Sequence, residues 1–205
     1  TPTLKTLFLP QDERPSTLLP AARPGVYLFT YPAPLVEGTV RQLGAQERGV
    51  VRFPNGRKLL LKIVEEKEVK ESVGDVRERG DWSFGTDLQL IGYDWSTRNA
   101  TLSTYWTFPA PAPMGRIGEH QLQTCLQTAD GRRIACCSGF GLEERYWEQG
   151  LVLKQWCRFS MSGNPPPGEY ELLMEMRQSH APPGATAADY VQPYRAHLGT
   201  VSVVE

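Results

Sequence analysis

Hydrophobic and polar residues alternate along most of the second half of the chain, from residue 86 onward. Such alternation predicts strands with one apolar face, because successive side chains of a strand point to opposite sides of the sheet. Turn residues separate the runs, which indicates six or seven short antiparallel strands packed as a two-sheet β-sandwich. The predicted core faces carry Leu102, Thr104, Trp106 and Phe108; Leu122, Thr124 and Leu126; Leu151, Leu153, Cys157 and Phe159; and Tyr170, Leu172, Met174 and Met176.

The strand that begins at Leu88 is predicted from strict alternation. Leu88 and Leu90 then share one face, and Tyr93 and Trp95 lie on the other with Ile91.

The first 72 residues predict a small α/β unit ahead of the sandwich. Residues 26–31 are β-branched and aromatic, which favours a strand. Residues 34–43 fit a short helix, with Pro34 in the first turn. An Asn55-Gly56 pair between two apolar runs predicts a hairpin, because both turn residues accept positive φ. The charged run 65–71 indicates a solvated helix or linker. The predicted class is therefore mainly β, with domains at residues 1–72 and 86–205.

The chain has four cysteines, and the turn at Asp130-Gly131 predicts where two of them lie. In a two-residue hairpin, residues whose numbers sum to 261 face each other, so Cys125 is opposite Cys136 on the polar face. They are candidate disulfide partners, although this turn makes them a hydrogen-bonded pair, whose wider spacing suits a disulfide less. We expect Cys137 and Cys157, on core faces, to be small buried hydrophobic residues with free thiols.

Charge and motif spacing exclude several classes of function. With 22 basic and 23 acidic residues, the chain has no electrostatic reason to bind nucleic acid. It has no apolar run long enough for a membrane span. No C-x-x-C motif is present, and His120, His180 and His197 show no metal-ligand spacing, so no metal or cofactor is predicted. The Glu169/Glu171 pair is interpreted as surface charge, and we predict no catalytic residue.

The aromatic residues provide the predicted binding positions. Carbohydrate-binding sandwiches stack exposed rings on sugars, and the chain contains five tryptophans. Tyr105 and Trp156 have the phase opposite to the core residues of their strands, so they are the outward candidates for a ligand. Packing within the fold is the alternative interpretation for each ring.

Five short sequence motifs follow one another along the second half of the chain. They are LIGYD at 90–94, LSTYW at 102–106, LQTADG at 126–131, YWEQGLVL at 146–153 and PPGEY at 166–170. In this order they resemble the extracytoplasmic C-terminal β-sandwich of prokaryotic polytopic glycosyltransferases, those similar to dolichyl-phosphate-mannose protein mannosyltransferases. Residues 26–64 resemble more weakly the strand unit that precedes that sandwich.

The resemblance implies a non-catalytic accessory domain on the extracytoplasmic face of the cell membrane. Its partner would be a glycan or acceptor substrate, and its only connection to the membrane would run through a missing upstream region. The start at Thr1 without an initiator Met agrees with an expected piece of a longer protein. The alternatives are a free-standing carbohydrate- or ligand-binding module and a small hydrolase.

Overall fold

Strands dominate the structure, a computed structural model that describes residues 16–20, 25–29, 46–52, 60–66, 76–84, 88–109, 120–139, 149, 151–159, 165–178 and 194–204. Within these residues the strands are β1 (Ser16–Pro20), β2 (Gly25–Phe29), β3 (Gln46–Arg52), β4 (Leu60–Glu66), β5 (Glu78–Phe84), β6 (Leu88–Ser96), β7 (Thr101–Thr107), β8 (His120–Gln127), β9 (Arg133–Gly139), β10 (Val152–Arg158), β11 (Gly168–Gln178) and β12 (Tyr194–Val203).

Two of the sheets form a β-sandwich, as the alternation predicts. One sheet has the order β1-β10-β7-β6-β5, the other has the order β12-β11-β8-β9, and each strand pair of known register is antiparallel. Apolar side chains of both sheets meet in one core, where each fully buried side chain contributes roughly 1.5–3 kcal/mol. The fully buried members include Leu90, Trp106 and Leu153 of the first sheet and Leu126, Leu172 and Met174 of the second.

Strand β6 departs from the predicted alternation. Leu90 pairs with Trp106 and Gly92 pairs with Tyr105, so Ile91 is an extra residue that forms a β-bulge. A bulge reverses the phase of the residues that follow it. Tyr93 therefore joins Leu88 and Leu90 in the core, and Trp95 packs against that core. The predicted opposite placement of Tyr93 and Trp95 is wrong for this reason.

The bulged segment of β6 connects the two sheets at one side of the sandwich. The Tyr93 hydroxyl donates a hydrogen bond to the Leu198 carbonyl at 2.7 Å, and Trp95 Nε1 donates to the Ser202 carbonyl at 2.7 Å. Leu198 is itself an extra residue in β12, since Leu172 pairs with Gly199 and Leu173 with His197. These two donors satisfy carbonyls of an edge strand, which would otherwise present open backbone groups.

The chain divides into two compact units, one formed by residues 20–76 and the other by residues 1–19 together with 77–205. The first of these contains the three-stranded sheet β2-β4-β3. Its pairs Val51–Leu61 and Arg52–Leu60 confirm the hairpin predicted around Asn55-Gly56, whose turn lies outside the described residues. The predicted helix at 34–43 also lies outside them. The sandwich unit also includes β5, which pairs with β6 and lies before residue 86, where the sandwich domain was predicted to begin.

Candidate functional site

The two predicted aromatic binding residues lie on the outer face of the five-stranded sheet, opposite its core face. Tyr105 pairs with Lys154 in the ladder, and Trp156 is two residues further along β10. The Lys154 ammonium lies 5.2 Å from the centre of the Tyr105 ring and 4.9 Å from that of Trp156. The Tyr105 hydroxyl donates to Asp94 Oδ2 at 3.3 Å. The structure therefore brings both predicted rings to one cation.

Exposure differs between these two rings. Trp156 is half-buried, but Tyr105 is only 3% exposed and Lys154 only 6%. Tyr105 also faces Gly92 across the ladder, and a glycine leaves room for a ring to lie along the sheet. The expectation that Tyr105 points outward into solvent is wrong, because its ring is enclosed by its neighbours.

The predicted pair Cys125 and Cys136 is joined by a disulfide bond on the outer face of the four-stranded sheet. Its Cα–Cα distance of 4.1 Å is typical of a non-hydrogen-bonded strand pair, for which about 4.5 Å is usual. The predicted hydrogen-bonded phase is therefore wrong, although Cys125 does face Cys136 as the sum of 261 requires.

The turn explains this change of phase. The loop has three residues, 129–131, closed by hydrogen bonds from Thr128 N to the Arg132 carbonyl at 2.9 Å and from Gly131 N to the Thr128 carbonyl at 2.8 Å. Gly131 has φ 88°, a left-handed conformation suited to glycine. The Thr128 hydroxyl bonds Asp130 and holds the pKa of this carboxyl below its usual value. Ile134 is then an extra residue in β9, because Gln127 pairs with Arg133 and Leu126 pairs with Ala135. Beyond this bulge the numbers of paired residues again sum to 261, but Cys125 and Cys136 now form a non-hydrogen-bonded pair.

The second cysteine pair corrects a prediction. Cys137 and Cys157 are buried as expected, but they form a disulfide and are not free thiols. The bond joins β9 of one sheet to β10 of the other, with a Cα–Cα distance of 5.8 Å. Stacked sheets are usually about 10 Å apart, so the two sheets approach closely at this side of the sandwich. All four cysteines lie among the described residues, and each is in one of these two disulfides.

A charged cluster lies on the same outer face as the Cys125–Cys136 disulfide. The Glu175 residue is 2% exposed, and its Oε1 lies 2.9 Å from Arg195 Nε and 3.0 Å from Arg133 Nη2. Arg133 Nη1 also donates to Gln123 Oε1 at 3.3 Å. We call these four residues the Glu175 cluster: Gln123, Arg133, Glu175 and Arg195.

A second carboxylate contact lies beside the Glu175 cluster. Glu171 lies four residues before Glu175 on β11, where His197 Nε2 bonds its Oε2 and the Thr200 hydroxyl donates to its Oε1 at 3.2 Å. Of the three histidines of the chain, His197 is the one whose side chain the structure describes, and it contacts the Glu171 carboxylate. In the described ranges no group of three or more His, Cys, Asp or Glu side chains could hold a metal ion.

Comparison with known proteins gives no match, whether to a protein family, to a curated protein or to a solved structure. The same described ranges contain no helix that is long and apolar enough to cross a bilayer.

Sequence reasoning did not single out the Glu175 cluster. Its members come from β8, β9, β11 and β12, and in the sequence each is one polar residue in an alternating run. The available signal was Glu175 itself, a charged residue between the core residues Met174 and Met176. Without the strand order, nothing indicated which cations it meets.

Proposed function

We propose that this chain is a non-catalytic, extracytoplasmic accessory domain of a membrane glycosyltransferase-like protein, which contacts a glycan or acceptor. The observation that carries the proposal is the state of the cysteines, since Cys125–Cys136 and Cys137–Cys157 are both bonded. Disulfides form and persist in oxidising compartments and are rare in proteins of the cytosol. The location agrees with the family that the ordered motifs resemble.

The buried disulfide supports this location most strongly. Cys137 and Cys157 both belong to the hydrophobic core, so their bond connects the two sheets inside the folded domain. A bond in this position is shielded from soluble thiols, because exchange requires a thiolate to reach a sulfur atom. It acts as a structural crosslink, which suits a domain that works outside the cell.

The carboxylates support a non-catalytic role. Glu175 contacts two arginines, Glu171 contacts His197 and Thr200, and Asp94 accepts a hydrogen bond from Tyr105. Each of these acids thus has a structural partner on its own sheet face. A general acid or base would instead need to reach a reacting atom of the substrate. In the proposed parent protein, the transfer chemistry belongs to the membrane-embedded region.

The alternative of a carbohydrate-binding module depends on exposed rings. Tyr105 is buried, and among the described residues the exposed large hydrophobic side chain is Val204. A flat aromatic platform for sugar stacking is therefore not favoured at Tyr105 and Trp156. We rank the accessory domain above this alternative for that reason.

The location can be tested in intact cells that produce the full-length protein. A membrane-impermeant phosphine is applied under mild denaturation that leaves the membrane sealed, followed by an impermeant maleimide. We expect labelling of the four cysteines without lysis, and none in a variant with all four replaced by alanine. Thiols that react only after lysis, without prior reduction, would refute the extracytoplasmic location.

A further inference from the structure

We infer that the Glu175 cluster forms a binding site for an oxyanion, the phosphate or carboxylate group of a small ligand. This inference goes beyond the proposed function, because it concerns one sheet face and depends neither on cellular location nor on the parent protein.

The register places three members of the Glu175 cluster in one row across the sheet. Glu175 pairs with Arg195 on β12 and with Gln123 on β8, so all three side chains share one face. This face is the outer one, because the neighbouring residues Met174 and Met176 are in the core. Arg133 starts opposite Gln127, four residues further along β8 than Gln123, and its side chain reaches back to the same carboxylate. Four strands therefore converge on one point.

The charges of the cluster do not cancel. Two guanidinium groups contact a single carboxylate oxygen, Glu175 Oε1, so positive side chains outnumber negative ones within the Glu175 cluster. The Glu175 side chain is 3% exposed, whereas those of Arg133 and Arg195 are 41% and 63% exposed. The negative charge is thus covered, and the surplus positive charge lies at the surface. One guanidinium would balance the charge of Glu175, and the second adds the positive charge that a ligand would meet.

The two arginines and Gln123 provide hydrogen-bond donors on the solvent side. Arg195 contacts Glu175 through Nε, and the two terminal nitrogens of the same guanidinium are further donors. Gln123 accepts from Arg133 through Oε1, so its amide nitrogen is the group that is left to donate. A planar guanidinium binds phosphate or carboxylate through two parallel hydrogen bonds. Donors held near one another by a buried carboxylate therefore suit an oxyanion.

A second carboxylate further along the strands limits what the ligand can carry. Glu171 lies four residues from Glu175 on β11, in the row of Gln127 and Arg133, where His197 and Thr200 contact it. A second negative group on the ligand would meet this carboxylate. The site consequently favours a ligand with one oxyanion and an otherwise neutral body.

The test is a calorimetric or NMR titration of the purified 205-residue chain with inorganic phosphate, glucuronate and glucose. We expect phosphate, glucuronate or both to bind, and neutral glucose not to bind. In R195Q the affinity should fall about tenfold or more, because hydrogen bonds to charged groups are lost. R195K should be intermediate, since it keeps the charge but lacks the planar fork.

The matched control is R98Q, which removes the same charge from an exposed position in the turn between β6 and β7. It should bind the anions as wild type does and keep the wild-type unfolding temperature, because Arg98 is exposed. R195Q should unfold at a lower temperature, because the buried Glu175 carboxylate loses one of its two arginine contacts, so its affinity is measured well below that temperature. The inference is overturned if wild type binds neither anion at millimolar concentration, or if R195Q and R98Q have equal affinities. Binding of glucuronate alone would identify the ligand group as a carboxylate, and binding of phosphate alone would identify it as a phosphate.

Discussion

The disulfide between the sheets leads to a quantitative prediction for the variant C137A/C157A. The bond closes a loop with a sequence separation of 20 residues. Loss of this constraint on the unfolded chain costs about 3 kcal/mol. Both cysteines also lie in the core, and each missing sulfur leaves a space near the size of a methyl group, which costs about 1 kcal/mol. We therefore expect the free energy of unfolding to fall by about 5 kcal/mol.

The matched control is C125A/C136A, which removes the other disulfide. Its loop has a sequence separation of 11, so the loop contribution is again about 3 kcal/mol. Only Cys125 is buried there, and Cys136 is exposed, so the packing loss should be about 1 kcal/mol. The core pair should consequently be the more costly of the two by about 1 to 2 kcal/mol.

Urea unfolding followed by tryptophan fluorescence measures both losses, and a thiol assay in denaturant checks the bonds themselves. Wild type and both variants should show no free thiol. The structural reasoning would be refuted if two thiols were found in C125A/C136A, or if C137A/C157A unfolded at the same urea concentration as wild type.

Three other predictions concern the sandwich. Y93F should lose about 1 kcal/mol at neutral pH, because the Leu198 carbonyl loses its donor. Burial first, and the Glu78 carboxylate second, raise the pKa of Tyr93 above 10.0. The contribution of the Tyr93 hydroxyl to the free energy of unfolding is therefore complete below pH 10.0 and is lost as the pH rises through the higher folded pKa. Denaturation curves of Y93F measured against pH should lack this alkaline loss, and a pH profile identical to that of wild type would contradict the reasoning. G199A should lower the free energy of unfolding by at least about 1 kcal/mol, since Gly199 has φ 134° and an added Cβ would lie 3.2 Å from the Tyr93 hydroxyl oxygen. Thermal unfolding should show a smaller loss of stability for G199A in the Y93F background. The control is G49A, where an added Cβ meets no atom within 4 Å. The isolated chain should show no glycosyl transfer or glycosidase turnover in product assays; turnover lost on one carboxylate substitution would count against the proposed role.

The alternation of apolar residues was sufficient to predict the sandwich and its core. Trp106, Leu126, Leu153 and Leu172 are buried as their phase predicts, because burial of one face is a local property of a strand. The hairpin between β8 and β9 was also predictable from its Asp-Gly turn, but Cys125 faces Cys136 only because the bulge at Ile134 offsets a loop that is one residue longer than predicted.

The tertiary structure decided the features that depend on irregular residues. The bulges at Ile91, Ile134 and Leu198 each change which face the following residues occupy, and alternation cannot reveal them because each adds one residue without a distinctive sequence. Residues 78–84 form a strand through pairing with β6, although their own sequence is rich in charge.

The contacts between strands distant in sequence were likewise beyond the sequence. Cys137 meets Cys157, and Glu175 meets Arg133 and Arg195, only because of the order in which the strands are arranged. The sequence by itself thus determined the strands and the faces they bury, because side-chain alternation is local. The tertiary structure determined which side chains meet, because strand order and sheet stacking depend on the whole chain.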